Sequence, residues 1–206
     1  MHIKCLTIVT FIALASAVMA ADSPIDKGSL LLDGSVYYQS QTGELWDDNE
    51  DVGVTTVGFG SVGIGAISLE VTPTVGYFVA NGVCIGAQIG FQSISFGDDD
   101  KINIFAVGPS LGYYVKTNPS STDVKGSVYI YGRGYVTFGS LRDENDDGTD
   151  ITQYGANVGL IYLVSSAVGA DLSMKIQKDS WKDKDASEAE TGTTIRFGVG
   201  LTAFIF

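Results

Sequence analysis

Ser127-Val128-Tyr129-Ile130-Tyr131-Gly132-Arg133-Gly134-Tyr135-Val136-Thr137-Phe138 decides the fold of this chain. Val128, Ile130, Gly132, Gly134, Val136 and Phe138 share one face, and Ser127, Tyr129, Tyr131, Arg133, Tyr135 and Thr137 share the other. A period of two is the signature of an extended strand, whose side chains point alternately to opposite sides of a sheet. The two faces differ sharply. One is aliphatic, while the other carries an arginine, three tyrosines and two hydroxyls.

The same alternation recurs on both sides of this segment, and no stretch keeps a helical period. It is read over 30–39, 67–79, 83–92, 105–115, 153–164, 168–177 and 194–205, which with 127–138 makes eight strands. Ala80-Asn81-Gly82 and Ser165-Ser166-Ala167 are tight turns, and Asn-Gly is a strong hairpin signal. A longer turn at 117–125, with Asn118-Pro119, falls on the same side. The other side carries 40–63, 97–101, 142–150 and 178–192, most of them long and acidic. The stretch from Val52 to Gly63 is too apolar for an ordinary loop and is read as an upward extension of the second strand. A further strand there is the alternative.

Composition agrees. Of 206 residues, 45% are apolar, 17% charged and 26 are glycine, and the net charge is −12. The apolar content excludes a disordered chain. The acidic balance argues against nucleic acid as a partner, because phosphate binding needs cations. Two cysteines cannot build a disulfide framework.

The first twenty residues read as an address. A lysine at Lys4, a short apolar run and Val18-Met19-Ala20 form a cleavable secretory signal over 1–20, leaving 21–206 as one domain. Cleavage removes His2, the single histidine, together with Lys4 and Cys5.

Which solvent the aliphatic face meets follows from the polar face. That face holds glycine, serine, threonine, glutamine and tyrosine, with Asp33, Glu70, Arg133, Asp171, Lys175 and Arg196 as its ionisable residues. The long lysine and glutamate side chains of a soluble exterior are concentrated in the loops instead. Small residues suit the crowded inside of a narrow barrel, and Tyr38, Tyr77, Tyr113, Phe138, Tyr154 and Tyr162 near strand ends suit aromatic girdles at two membrane interfaces. Open sheet edges cannot persist in lipid, so the sheet must close. The expectation is an all-β, eight-stranded antiparallel up-and-down transmembrane β-barrel.

The signal peptide, the repeated Pro-x-x-Gly-Tyr-[Phe/Tyr]-Val of Pro73–Val79 and Pro109–Val115, and the aromatic terminal strand ending at Phe206 carry a resemblance. The chain resembles the small outer-membrane β-barrel family, which groups opacity-type proteins with barrels like the transmembrane domain of OmpA. The resemblance covers essentially all of 21–206 and implies a porin-like barrel in a Gram-negative outer membrane. It also implies outer-membrane lipid and the barrel-assembly machinery as partners. An even strand number puts both termini on the short-turn, periplasmic side. In such proteins the terminal Phe shares the lipid-facing register. Here that register would select Phe206, Phe204, Thr202, Gly200 and Gly198, while the more apolar face is the other one, so a bulge or register switch near Ala203 is expected.

The chemistry on offer is limited. Barrel-borne enzymes of this kind use histidine as base or orienter, and the processed chain has none, so no catalytic residue and no enzyme activity are expected. A Ser/Lys or carboxylate-pair mechanism, for instance through Glu70 and Asp171, has no spacing to single it out. Asp143, Asn145 and Asp147 match the front of a calcium loop, Asp-x-Asn-x-Asp-Gly. The twelfth position is Tyr154 where a bidentate Glu is needed, so a solvated acidic turn is the preferred reading. No other cofactor is implied. Cys84 reads as a small packing residue on the polar face. The six interior ionisable groups, three of each sign, are expected to pair across the lumen, since unpaired buried charges cost several kcal/mol. The function expected is a structural or surface-interaction barrel working through acidic extracellular loops. A narrow pore for ions or small solutes and a secreted lipocalin-like carrier are the alternatives.

Overall fold

The computed structural model describes residues 23–42, 58–59, 67–71, 74–96, 100–118, 123–142, 148–184 and 186–206. Its strands are β1 (Leu30–Thr42), β2 (Gly58–Phe59), β3 (Ile67–Val71), β4 (Thr74–Ala80), β5 (Val83–Phe96), β6 (Asp100–Lys116), β7 (Val128–Arg142), β8 (Gly148–Leu163), β9 (Val168–Asp183) and β10 (Glu190–Ile205). Each pairs antiparallel with its neighbours, and β10 returns to pair with β1 from Leu30↔Ile205 to Thr42↔Thr193. The sheet is closed.

The ring has eight staves. β3 and β4 hold one common register against β5, with Val71 opposite Phe91 and Thr74 opposite Gln88, so they are two pieces of a single second stave. The expected second strand is therefore present. β2 adds a short pairing of Gly58 and Phe59 with Tyr37 and Val36, so part of the 52–63 stretch forms its own strand against β1. Following paired residues once around, from Leu30 through Tyr77, Ile85, Leu111, Gly134, Ala156, Ile176 and Ile195, returns to β1 at Ser40, ten residues higher. That stagger with eight strands tilts the staves about 40° and leaves a bore radius of about 8 Å to the backbone. So narrow a bore holds side chains and little else.

The faces are inverted relative to a soluble protein. The exposed large apolar side chains, among them Leu111, Ile130, Phe138, Val158, Leu172, Phe197 and Val199, all sit on the outward register, with Val199 63% and Leu172 61% exposed. The buried set is rich in Thr74, Gln88, Arg133, Asp171, Lys175, Gln177, Asp179, Thr194 and Arg196. Among the described residues an apolar belt outside and a polar lumen inside match a hydrocarbon surround. This orientation is opposite to the one a soluble carrier needs.

Several strand boundaries differ from the expected loops. β1 runs to Thr42 and β7 to Arg142, β6 begins at Asp100, β8 at Gly148 and β10 at Glu190, while β9 runs to Asp183, so 184–189 alone connects β9 to β10. The alternation continues there, but with polar residues on both faces (Lys178 and Ser180 outward, Asp179 inward), which hides a strand that rises above the apolar belt.

Local chemistry explains two close approaches. Gly82 closes the β4–β5 turn at φ +75°, where a side chain would be strained and would meet the Tyr114 carbonyl. Gly159 leaves room for the Tyr131 ring from the neighbouring stave, since a methyl there would sit 2.6–2.7 Å from ring atoms.

Candidate functional site

The lumen is organised in tiers. At the short-turn end Leu31, Phe78, Tyr129, Ile161, Leu163 and Phe204 form a buried apolar floor. Ile25, Val124 and Phe206 pack against it from the adjoining turns. Residues 23–29 are held there by backbone bonds, Gly28 N–H donating to Phe78 O at 2.9 Å and Gly82 N–H to Ile25 O at 2.8 Å. Phe204 therefore points inward, only 2% exposed, and the β10 register with β1 and β9 runs unbroken. The expected bulge near Ala203 is absent. The alternation is kept because Phe204 fills the floor, while Leu201 and Ile205 supply the outward apolar face. The register shift falls instead between Phe78 and Ala80 of β4.

Above the floor Tyr114 and Tyr131 stack, with centroids 5.1 Å apart, and Phe78 meets Tyr114 edge-on at 5.3 Å. Arg133 lies on the next inward position of β7. Its Nη2 is 2.5 Å from Asp33 Oδ2 on β1, the stave diametrically opposite. The same guanidinium donates to Tyr114 Oη at 2.7 Å and Thr74 Oγ1 at 2.9 Å, so one side chain ties four staves. Its Cζ also lies 5.5 Å from the Tyr131 ring centroid. Tyr131 Oη donates to Asp171 at 3.0 Å, and Thr202 Oγ1 donates to Asp171 at 3.3 Å.

The middle tier holds the other two cations. Lys175 and Arg196 are buried and directly opposed across β9–β10, and Lys175 Nζ sits 4.4 Å over the Tyr135 ring. Higher again, Asp179 accepts from Gln153 Nε2 at 2.8 Å, Gln177 Nε2 at 2.5 Å and Thr194 Oγ1 at 2.8 Å. Tyr135 Oη donates to Gln177 Oε1 at 2.8 Å and extends this network to β7.

Five of the six expected interior ionisable residues thus face the lumen. Asp33, Arg133 and Asp171 are brought together through the tyrosines, and Lys175 and Arg196 form a separate tier. Glu70 belongs to β3 opposite Gln92, and its side chain lies outside the described residues. Asp179 was not anticipated. Its signal was available, since it continues the inward parity of Asp171, Lys175 and Gln177. The surrounding charged residues gave that segment a loop-like composition. Cys84 is buried in the cluster above the floor, as a packing residue would be. Asp143, Asn145 and Asp147 lie outside the described residues. On the outward face Tyr113 and Tyr162 are exposed near the short-turn ends of β6 and β8, and Tyr77 is half-buried. Phe138 and Tyr154 are exposed further inside β7 and β8, away from the expected strand ends, and Tyr38 falls outside the described side chains.

No family model matches the chain, and no curated protein matches it. Among solved structures it is similar to the crystal structure of Neisserial surface protein A, with 13% identity, a TM-score of 0.57, and coverage of 87% of this chain and 100% of that one. Two Pseudomonas aeruginosa structures also align, the outer membrane protein OprG (10% identity, 88% and 98% covered, TM-score 0.44) and the N-terminal β-barrel domain of OprF (13%, 85% and 98%, 0.38). Identity this low speaks for architecture alone. Closed ring, outward apolar belt and polar bore together give this chain the fold of the small eight-stranded outer-membrane β-barrels.

Proposed function

We propose that the chain is an integral outer-membrane protein of a Gram-negative envelope whose barrel anchors acidic extracellular loops that meet a partner. Residues 1–20 are its cleaved signal, both termini face the periplasm, and the barrel-assembly machinery inserts it. It is not an enzyme and needs no cofactor. The observation that carries the reading is the occupied bore: an apolar floor closes one end and the Arg133 tier crosses the lumen directly above it. A lumen filled this way favours rigidity over transport, and leaves the acidic loops as the surface open to a partner.

A narrow pore is the second reading, favoured by the polar lining above the floor. The test combines fractionation with electrophysiology. The anchor reading expects recovery in outer membrane, heat-modifiable gel mobility, no discrete conductance in planar bilayers, and loss of a surface-binding phenotype when 43–57 or 143–147 is deleted. Discrete channels from the wild-type barrel would refute it. Recovery in the soluble fraction would refute membrane insertion itself.

A further inference from the structure

The outer wall carries a dent beside two cations. Pro109 and Leu111 on β6, Gly134 and Val136 on β7, and Tyr154 and Gly155 on β8 border an apolar groove of about 490 Å³ on the belt. Its depth comes from missing side chains. A methyl at Gly134 would lie 4.0 Å from its nearest neighbour, so this outward position is open. The wall behind is closed, because Gly108 presses against the Val136 carbonyl and Thr137. The groove is therefore a seat and not an opening into the lumen.

Its upper edge is basic. Tyr154 pairs with Lys178 on β9, and Lys182 follows on the same outward register, both exposed. The stagger makes paired rows climb toward the long-loop end from β6 to β9, so Lys178 stands higher than Tyr154 and Pro109 lower. Asp150, opposite Lys182, offsets part of this charge and leaves about one net cation. In a chain of net charge −12, cations placed just above an aromatic belt residue are complementary to an anion at headgroup depth.

We propose that this face is a binding site for a lipid with a phosphate headgroup, the phosphate held by Lys178 and Lys182 and one acyl chain laid in the groove across Gly134. The groove continues the lipid-facing belt, which argues for hydrocarbon as its occupant. The charge above it selects the headgroup. The inference rests on the barrel's spanning a bilayer and is independent of what the loops bind.

The test uses the barrel refolded into phosphatidylcholine vesicles, with heat-modifiable mobility recorded for every sample. Trace spin-labelled phosphatidic acid is compared with spin-labelled phosphatidylcholine, and the motionally restricted fraction gives relative association. The expected preference for phosphatidic acid is about fivefold, the equivalent of one net cation at the surface. It is abolished in K178Q/K182Q, kept in K178R/K182R, and kept in K27Q/K125Q at the short-turn end. G134L lowers the restricted fraction of both lipids. On the unaltered barrel, a diazirine-tailed phosphatidic acid crosslinks to residues 109–111, 134–136 or 154–155. Equal association of the two lipids with an inserted barrel, a preference that survives K178Q/K182Q, or crosslinks confined to other staves would overturn the site. Failure of the wild type to insert would instead overturn the membrane reading.

Discussion

Replacing Arg133 by methionine removes a side chain that ties β1, β4, β6 and β7 across the bore. The guanidinium and the Asp33 carboxylate are both buried, 6% and 9% exposed, and 2.5 Å apart. Methionine keeps much of the volume but deletes three hydrogen bonds, to Asp33, Tyr114 and Thr74. It also leaves Asp33 without its cation. Removing one member of a buried pair costs about 3–5 kcal/mol, most of it from the carboxylate left behind. The double variant D33L/R133M removes both charges, so only the Tyr114 and Thr74 hydroxyls lose a partner, at about 1 kcal/mol each. The pair should therefore couple by about 2 kcal/mol or more, well beyond what an exposed ion pair supplies. The assay is urea unfolding of the refolded barrel in lipid vesicles, followed by the fluorescence of Trp46 and Trp181, for wild type, D33L, R133M and the double variant. A loss below about 1 kcal/mol in R133M, with additive single variants, would refute the claim that this tier braces the wall.

Other perturbations follow the same logic. Gly159→Ala forces the Tyr131 ring to shift and should cost about 1–3 kcal/mol in the same unfolding assay. Asp179→Ala strands the Gln153, Gln177 and Thr194 donors and should cost about 1–3 kcal/mol, less than R133M because three neutral groups lose a partner instead of a charge. Phe204→Ala empties the floor at a cost of about 3–5 kcal/mol, read as a lower urea midpoint. If the floor is what blocks the bore, F204A should also show conductance in planar bilayers that the wild type lacks.

Much of this was legible in the residues. The period of two in segments such as 127–138 located the staves, and the contrast between an aliphatic face and a face of glycine, tyrosine and scattered charge set which side meets lipid. Asn81-Gly82 marked its turn because that backbone conformation demands glycine. Where alternation ran into charged sequence, as in 178–183, composition masked the strand, and Asp179 was read as loop. At the C-terminus the reverse happened: an aromatic at Phe204 suggested the lipid face, although the alternation already placed it inside. A side chain's chemistry permits either environment there, and parity decides.

By itself, then, the sequence determined the strand count and the inside and outside of the wall. Periodicity and composition are local properties, carried by neighbours in the chain. Only closure of the ring decided the stagger of ten residues, and with it which distant positions face each other. Asp33 and Arg133 are 100 residues apart and meet because their staves lie opposite across a narrow bore. Val136, Tyr154 and Lys178 line up on the outer wall for the same reason. Register between strands is fixed by long-range pairing, which no single stretch of sequence contains.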